Sequence, residues 1–180
     1  MENAIQKQML FLTGFMGSGK THVGKKLATL LDMPFLDLDE DIVEKAGKSV
    51  HELFAQHGEA WFRLLERRAL HDTLFIPPSI VATGGGAPCF FNNMDWMNTH
   101  GKTIFMDASL PVLVKRLWKG KEKRPLLKDL SEDQLEVSIQ SRVSGRLPYY
   151  HQAHVHYPIL DGEQNNVEGL LSLLSRADSL

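Results

Sequence analysis

Five short apolar runs punctuate the chain, at 9–13 (MLFLT), 34–39 (PFLDLD), 79–84 (SIVATG), 102–107 (KTIFMD) and 154–160 (HVHYPIL). Their apolar centres predict strands buried in a sheet. Between them, apolar residues recur at helical spacing. Thr21 to Leu31 carries Val23, Leu27, Leu30 and Leu31, and Val50 to Leu74 carries Leu53, Phe54, Trp61, Phe62 and Leu65. Gly58 divides that second segment into two helices. Pro111 to Trp118, with its proline in the first turn, and Val167 to Leu174 complete the helical set. The stretch WKGKEKRPLLKDLSEDQ is polar and basic, is punctuated by Gly120 and Pro125, and predicts a loop between helices. Strands alternating with helices predict an α/β fold, with a parallel sheet covered on both faces and ligands at the carboxyl ends of its strands. No repeat, low-complexity segment or linker divides residues 1–180, so one domain is expected.

Composition narrows the function classes. Hydrophobic residues make up 43% and charged residues 23%, ordinary for a soluble globular protein. A formal net charge of −2 gives no global basic field for nucleic acid. The basic clusters at Arg63–Arg68 and Lys115–Arg124 read first as solvated helix faces. A single cysteine, Cys89, excludes an internal disulfide framework and suits a reducing cytoplasm; with no partner in sequence to activate it, a buried thiol is expected. The N-terminal apolar run is too short for a signal peptide, and no run approaches the roughly 20 residues of a membrane span. A cytoplasmic chain that binds neither nucleic acid nor membrane is expected.

Gly14-Phe15-Met16-Gly17-Ser18-Gly19-Lys20-Thr21 matches G-x-x-x-x-G-K-[ST] in full, between a predicted strand and a predicted helix. In such a loop successive N–H groups point at an anion, and the helix adds the positive end of its dipole. Lys20 reaches the outer phosphates of a nucleoside triphosphate, and the Thr21 hydroxyl suits Mg²⁺. The motif names a nucleotide and not a reaction.

A second set of residues suggests what receives the phosphate. Asp37 and Asp39 are two apart near the end of the second strand, so strand alternation puts them on one face. One suits a metal-bound water, the other an acceptor hydroxyl; the alternative is an acidic turn capping a helix that begins near Glu40. Arg63, Glu66 and Arg67 share a helical face, either as an anion fork or as a surface ion-pair ladder. Gly84, Gly85 and Gly86 follow the third strand and allow a ligand to approach bare backbone. That strand end carries no aspartate, which makes Asp37 the best candidate for the metal's outer partner. Arg124 belongs to the polar loop, a candidate lid, and Arg146 stands before a predicted proline turn. His151, His154 and His156 read as solvated or packed imidazoles rather than a metal site.

The segments GFMGSGKT, DLDEDI, ELFAQHGEAWFRLLE, TGGGAP, KRPLL and GRLPYY, in this order from Leu10 to about Leu174, resemble the shikimate kinase family. The resemblance implies a P-loop kinase fold of the nucleoside-monophosphate-kinase-like type, with a roughly five-stranded parallel sheet. It implies acceptor-binding helices over about 39–74 and a lid loop over about 118–131. The implied reaction transfers the γ-phosphoryl group of ATP to the 3-hydroxyl of shikimate, with Mg²⁺ as cofactor, in chorismate biosynthesis. The family further suggests a monomer.

Its site residues carry over one by one. Lys20, Asp39 and Arg124 resemble the catalytic set. Gly14, Gly17, Ser18, Gly19, Lys20, Thr21, Arg116 and Arg124 resemble the ATP site, with Arg116 near adenine. Asp39, Arg63, Gly84, Gly85, Gly86 and Arg146 resemble the shikimate contacts, and Phe54, Phe62, Glu66, Pro125 and Leu126 the walls of that pocket. Thr21 and, through water, Asp37 resemble the metal partners. Two places depart from the family pattern: His22 follows Thr21 where a hydroxyl residue is usual, and RLPYYHQAH replaces a leucine-tyrosine and acidic ending. A gluconate kinase shares the P-loop and the aspartate pair but not the Arg63, triple-glycine and Arg146 set. A nucleoside monophosphate kinase needs a second base pocket that the sequence does not specify. A nucleotide-binding regulatory module with a dead site is the reading of a different class.

Overall fold

The structure, a computed structural model, describes residues 7–121, 129–159 and 167–177. Five parallel strands form one sheet: β1 (Met9–Thr13), β2 (Phe35–Asp37), β3 (Ile80–Ala82), β4 (Gly101–Ala108) and β5 (Val155–Ile159), in the order β2-β3-β1-β4-β5. β1 lies at the centre, with Leu10 opposite Ile80 on β3 and Leu12 opposite Ile104 on β4. All five residues of β1 are buried, as the run of apolar residues requires of a strand covered on both faces.

The helices are α1 (Lys20–Leu31), α2 (Leu38–Ala46), α3 (Val50–Asp72), α4 (Asn93–His100), α5 (Leu110–Lys119), α6 (Glu132–Tyr150) and α7 (Val167–Ala177). Alternate residues of the central strands feed two cores. Phe11, Val81 and Phe105 face a core built with Leu38, Leu53, Phe62, Leu70, Met94, Ile139 and Tyr150. Leu10, Leu12, Ile80, Ile104 and Met106 face the other, built with Val23, Leu27, Leu170 and Leu174. α1 leaves β1 toward one face and α4 approaches β4 on the other, so the loops after β1 and β3 diverge at neighbouring strands. That reversal is where open α/β sheets hold their ligands.

Local chemistry explains the boundaries. The predicted strand at 34–39 closes early, at Asp37, whose carboxylate caps α2 by accepting from the Asp39 and Glu40 N–H groups. α3 opens on a capping box: Ser49 Oγ accepts from Glu52 N–H at 3.2 Å, and Glu52 Oε2 from Ser49 N–H at 2.7 Å. Gly58, with φ 80° and ψ 168°, breaks α3 into two helical parts, as its position predicts. The predicted proline turn at GRLPYY is absent. Arg146 to Tyr150 are the last residues of α6, with Pro148 inside the helix, where it forfeits one hydrogen bond close to the end. No described helix is long and apolar enough to cross a membrane.

Candidate active site

The loop after β1 bends where only glycine fits. Gly14 has φ 133°, and a Cβ there would lie 2.8 Å from the Met106 carbonyl oxygen. Gly19 is the N-cap of α1 and Lys20 its first residue. Lys20 Nζ donates to the carbonyl oxygens of Gly14 at 2.8 Å and Phe15 at 3.0 Å, so its ammonium lies folded along the loop. Arg116, from α5, donates to the Gly17 and Ser18 carbonyl oxygens at 3.1 Å each, which seats its guanidinium behind the same loop. Ser18 Oγ is buried with no hydrogen-bond partner among the described residues.

Thr21 Oγ1 donates to Asp37 Oδ2 at 2.7 Å, which joins the start of α1 to the end of β2. Asp37 therefore combines the two uses that the sequence offers as alternatives: it caps α2 with one oxygen and meets the Thr21 hydroxyl with the other. The expectation that Asp37 and Asp39 share a strand face does not hold. Asp39 lies in the first turn of α2, and the helical turn, not the pleat, aims it.

The triple glycine of the β3 loop is the point of convergence. A Cβ on Gly84 would strike Glu66 Oε1 and lie 2.9 Å from Asp39 Oδ1. One on Gly86 would lie 2.7 Å from both Nη atoms of Arg63, and one on Gly85 3.4 Å from an Arg146 Nη atom. Two carboxylates and two guanidinium groups thus press onto bare backbone, from α2, α3 and α6 together. Arg63 and Glu66 are not a surface ladder. Their side chains are 9% and 1% exposed, and Arg63 Nη1 donates to Glu66 Oε2 at 2.7 Å. Arg67, the third member of that predicted face, stands off against Phe91 at 5.5 Å. Phe54 and Phe62 pack at 4.5 Å between centroids and, with Phe90, surround the Arg63 guanidinium. Arg146 lies over the Phe15 ring at 5.3 Å.

The electrostatics follow from this crowding. Burial, then the neighbouring Asp37 charge, raises the Asp39 pKa against the opposing pull of Lys20 and Arg63. Burial likewise raises Glu66, with Arg63 pulling the other way. Burial works against the Arg63 cation, yet Glu66 and Glu59 outweigh it, and its pKa ends above the ordinary value.

Three contributors escaped the sequence reading. Tyr150 Oη donates to the Gly85 carbonyl oxygen at 2.5 Å, and burial raises its pKa, so the phenol stays neutral and braces the glycine loop. The tyrosine pair of GRLPYY was its only signal. Glu59 accepts from Arg63, a signal present in the i, i+4 spacing. Phe90 had none. Cys89, half-buried beside the site, has its thiol pKa pushed up by burial, which fits an inert thiol. His151 and His156 stack at 5.5 Å, and His154 Nδ1 accepts from Thr103 N–H. Arg124, Pro125 and Leu126, with the centre of the expected lid, lie outside the described residues.

The chain and its fold have relatives among known proteins. The family model for shikimate kinase matches residues 16–175. A curated shikimate kinase of Bacteroides fragilis is 47% identical over 148 residues, covering 82% of this chain and 83% of its own. One from Bacteroides thetaiotaomicron is 46% identical over 144 residues, covering 80% and 82%. A crystal structure of shikimate kinase from Bacteroides thetaiotaomicron superposes with a TM-score of 0.88 at 40% identity, over 96% of this chain and 99% of that one. The Acinetobacter baumannii enzyme in complex with shikimate gives 0.82 at 28% identity, over 97% and 95%. With its P-loop, its parallel sheet order and a family match over nearly its whole length, the chain belongs to the shikimate kinase family.

Proposed function

We infer that the chain is an ATP-dependent shikimate kinase, moving the γ-phosphoryl group of ATP to the 3-hydroxyl of shikimate and releasing shikimate 3-phosphate and ADP. The observation that carries this is the convergence of Asp39, Glu66, Arg63 and Arg146 on Gly84–Gly86, next to a P-loop. Such a pocket offers cations to a carboxylate, carboxylates to hydroxyl groups and flat backbone to a ring. Shikimate carries all three features.

Phosphoryl transfer needs alignment and charge compensation more than covalent work. In our reading the amides of Gly14–Thr21 and the Lys20 ammonium hold the triphosphate, and Arg116 borders the nucleotide through its grip on the loop. Arg63 and Arg146 clamp the acceptor carboxylate. Glu66, Phe54, Phe62, Pro125 and Leu126 wall the pocket, within helices about 39–74 and a lid about 118–131. Asp39 orients the 3-hydroxyl and takes its proton as the O–P bond forms, and its raised pKa makes it a better acceptor than an ordinary aspartate. Magnesium suits the oxygen atoms present. Thr21 would hold it directly and Asp37 through water, and when bound it neutralises charge on the outer phosphates. Residence in the cytoplasm as a monomer belongs to the same reading, supported for the compartment by the single cysteine.

ADP release with MgATP is the test, with shikimate, with gluconate and with no acceptor. Release dependent on shikimate alone is expected; release with gluconate would overturn the acceptor, and none with any acceptor the whole reading. Arg63→Ala should weaken shikimate binding by roughly 2–5 kcal/mol, because it strands a desolvated carboxylate. Arg124→Ala should lower turnover by about 10³-fold or more while changing shikimate affinity little, by analogy with arginines that contact a transferring phosphoryl group. Unchanged affinity in the first or near-normal turnover in the second removes that residue from its role.

A further inference from the structure

Arg63 meets two carboxylates of unlike character. Glu66 is 1% exposed and accepts from Nη1 at 2.7 Å. Glu59 is 59% exposed and accepts from Nε at 3.2 Å and from Nη2 at 3.0 Å, both through the single oxygen Oε1. The faces of the guanidinium are taken by Phe54, Phe62 and Phe90 at 4.6–5.6 Å and by the backbone at Gly86. The Nε–Nη2 edge is therefore a two-donor edge that suits a bidentate carboxylate, and a solvent-facing side chain occupies it with one oxygen. Glu59 follows Gly58, whose backbone is non-helical and whose added Cβ would meet nothing within 4 Å. The Glu59 side chain is mostly exposed and can swing away into solvent, whereas Glu66 is enclosed.

We propose that Glu59 is an internal stand-in for the acceptor carboxylate: it neutralises Arg63 in the empty pocket and leaves the Nε–Nη2 edge when the substrate carboxylate arrives. This rests on the reading of Arg63 as the carboxylate clamp. The exchange keeps the Nε–Nη2 edge of a buried cation partnered in both states and weakens binding of every acceptor that must displace Glu59. That weakening falls on ligands that carry an anion for that edge. Glu59 is thus a specificity-determining residue that acts through Arg63.

The test is calorimetric titration of Glu59→Gln and of wild type, with shikimate and with its neutral carboxamide, in the absence of nucleotide. Removing an exposed competing anion should tighten shikimate binding about two- to five-fold. The carboxamide, with no charge to exchange, should gain nothing. Glu59→Asp, which keeps the charge on a side chain one methylene shorter, should move the same way as Glu59→Gln, and melting curves for both variants establish that they are folded. Weaker or unchanged shikimate binding in folded variants would overturn the exchange and make Glu59 a support that holds Arg63 in place. Equal gains for both ligands would overturn it too. Wild type that binds no shikimate would overturn the clamp reading and the exchange with it.

Discussion

Asp39 pays for its chemistry in stability. Its pKa is raised by burial and by the Asp37 charge, so the folded state holds its proton more tightly than the unfolded chain does. The folded state then binds more protons between the ordinary aspartate pKa and the raised one, and stability falls as pH rises through that window. At neutral pH the charge on Asp39 is a net cost. Asp39→Asn should therefore melt at a higher temperature than wild type at pH 7, and the gap should close as pH falls through the wild-type Asp39 pKa. The same variant should lose about 10²–10⁴-fold in turnover, the usual span for a positioned general base. Paired melting curves and ADP-release rates across pH check both, and a less stable variant at pH 7 would contradict the electrostatic account. The acid limb of kcat/KM in wild type should lie above the ordinary aspartate range. Lys20 and Thr21 could be named from the sequence because the motif fixes their places on a helix N-terminus. A strand period misplaces Asp39, because Asp37 has already turned the chain into a helix at that position.

At the scale of elements, the site is assembled by three caps and one glycine run. Asp37 ends β2 and starts α2, Gly19 starts α1, and Ser49 starts α3. They start the segments that carry Asp39, Lys20 with Thr21, and Phe54, while Arg63 and Glu66 follow the break at Gly58. The β3 loop sets the floor of the pocket, and there the absence of a side chain is the functional property. Gly84→Ala places a methyl group against Glu66 Oε1 and Asp39 Oδ1, and Glu66, buried and held by Arg63, cannot retreat without loosening that ion pair. We expect acceptor affinity to fall by about ten-fold or more, in line with an overpacking cost of roughly 1–3 kcal/mol, while nucleotide binding stays near wild type. Titration with each ligand separates the two, and equal losses for ATP and acceptor would point to a general disturbance of the loop. Strands and the P-loop were readable because their signals are local. The continuation of the chain as α6 through Pro148 was not, because a proline ordinarily marks a turn, and here Tyr150 is anchored by Gly85, 65 residues away. Tertiary contact outweighed local preference.

The whole molecule divides its labour across the sheet. One face carries α1 and α7, with Val23, Leu27, Leu170 and Leu174 as its core. The other carries α3, α4 and α6, and its core includes Phe62 and Tyr150, which touch site residues directly. Stability draws on both faces, while acceptor geometry draws on one. Leu174 is fully buried on the first face, so Leu174→Ala should cost about 2–5 kcal/mol of stability through lost burial and a cavity. The sheet lies between that cavity and the pocket, so KM for shikimate and for ATP should stay within about two-fold below the melting transition, a shift smaller than one buried contact is worth. Phe62 is 2% exposed on the second face, stacks with Phe54 and flanks Arg63. Phe62→Leu deletes less volume than Leu174→Ala relative to the residue it replaces, and should cost less stability. It nevertheless removes a wall from the guanidinium of Arg63, so the KM for shikimate should rise several-fold. The pair is measured by denaturant unfolding and by steady-state kinetics on the same preparations. Proportional changes in stability and KM for both variants would mean that packing is transmitted through the sheet, and that the two faces are not independent. Opposite rankings, with Leu174→Ala the less stable and Phe62→Leu the weaker binder, are what a sheet that separates a scaffold face from a recognition face must give.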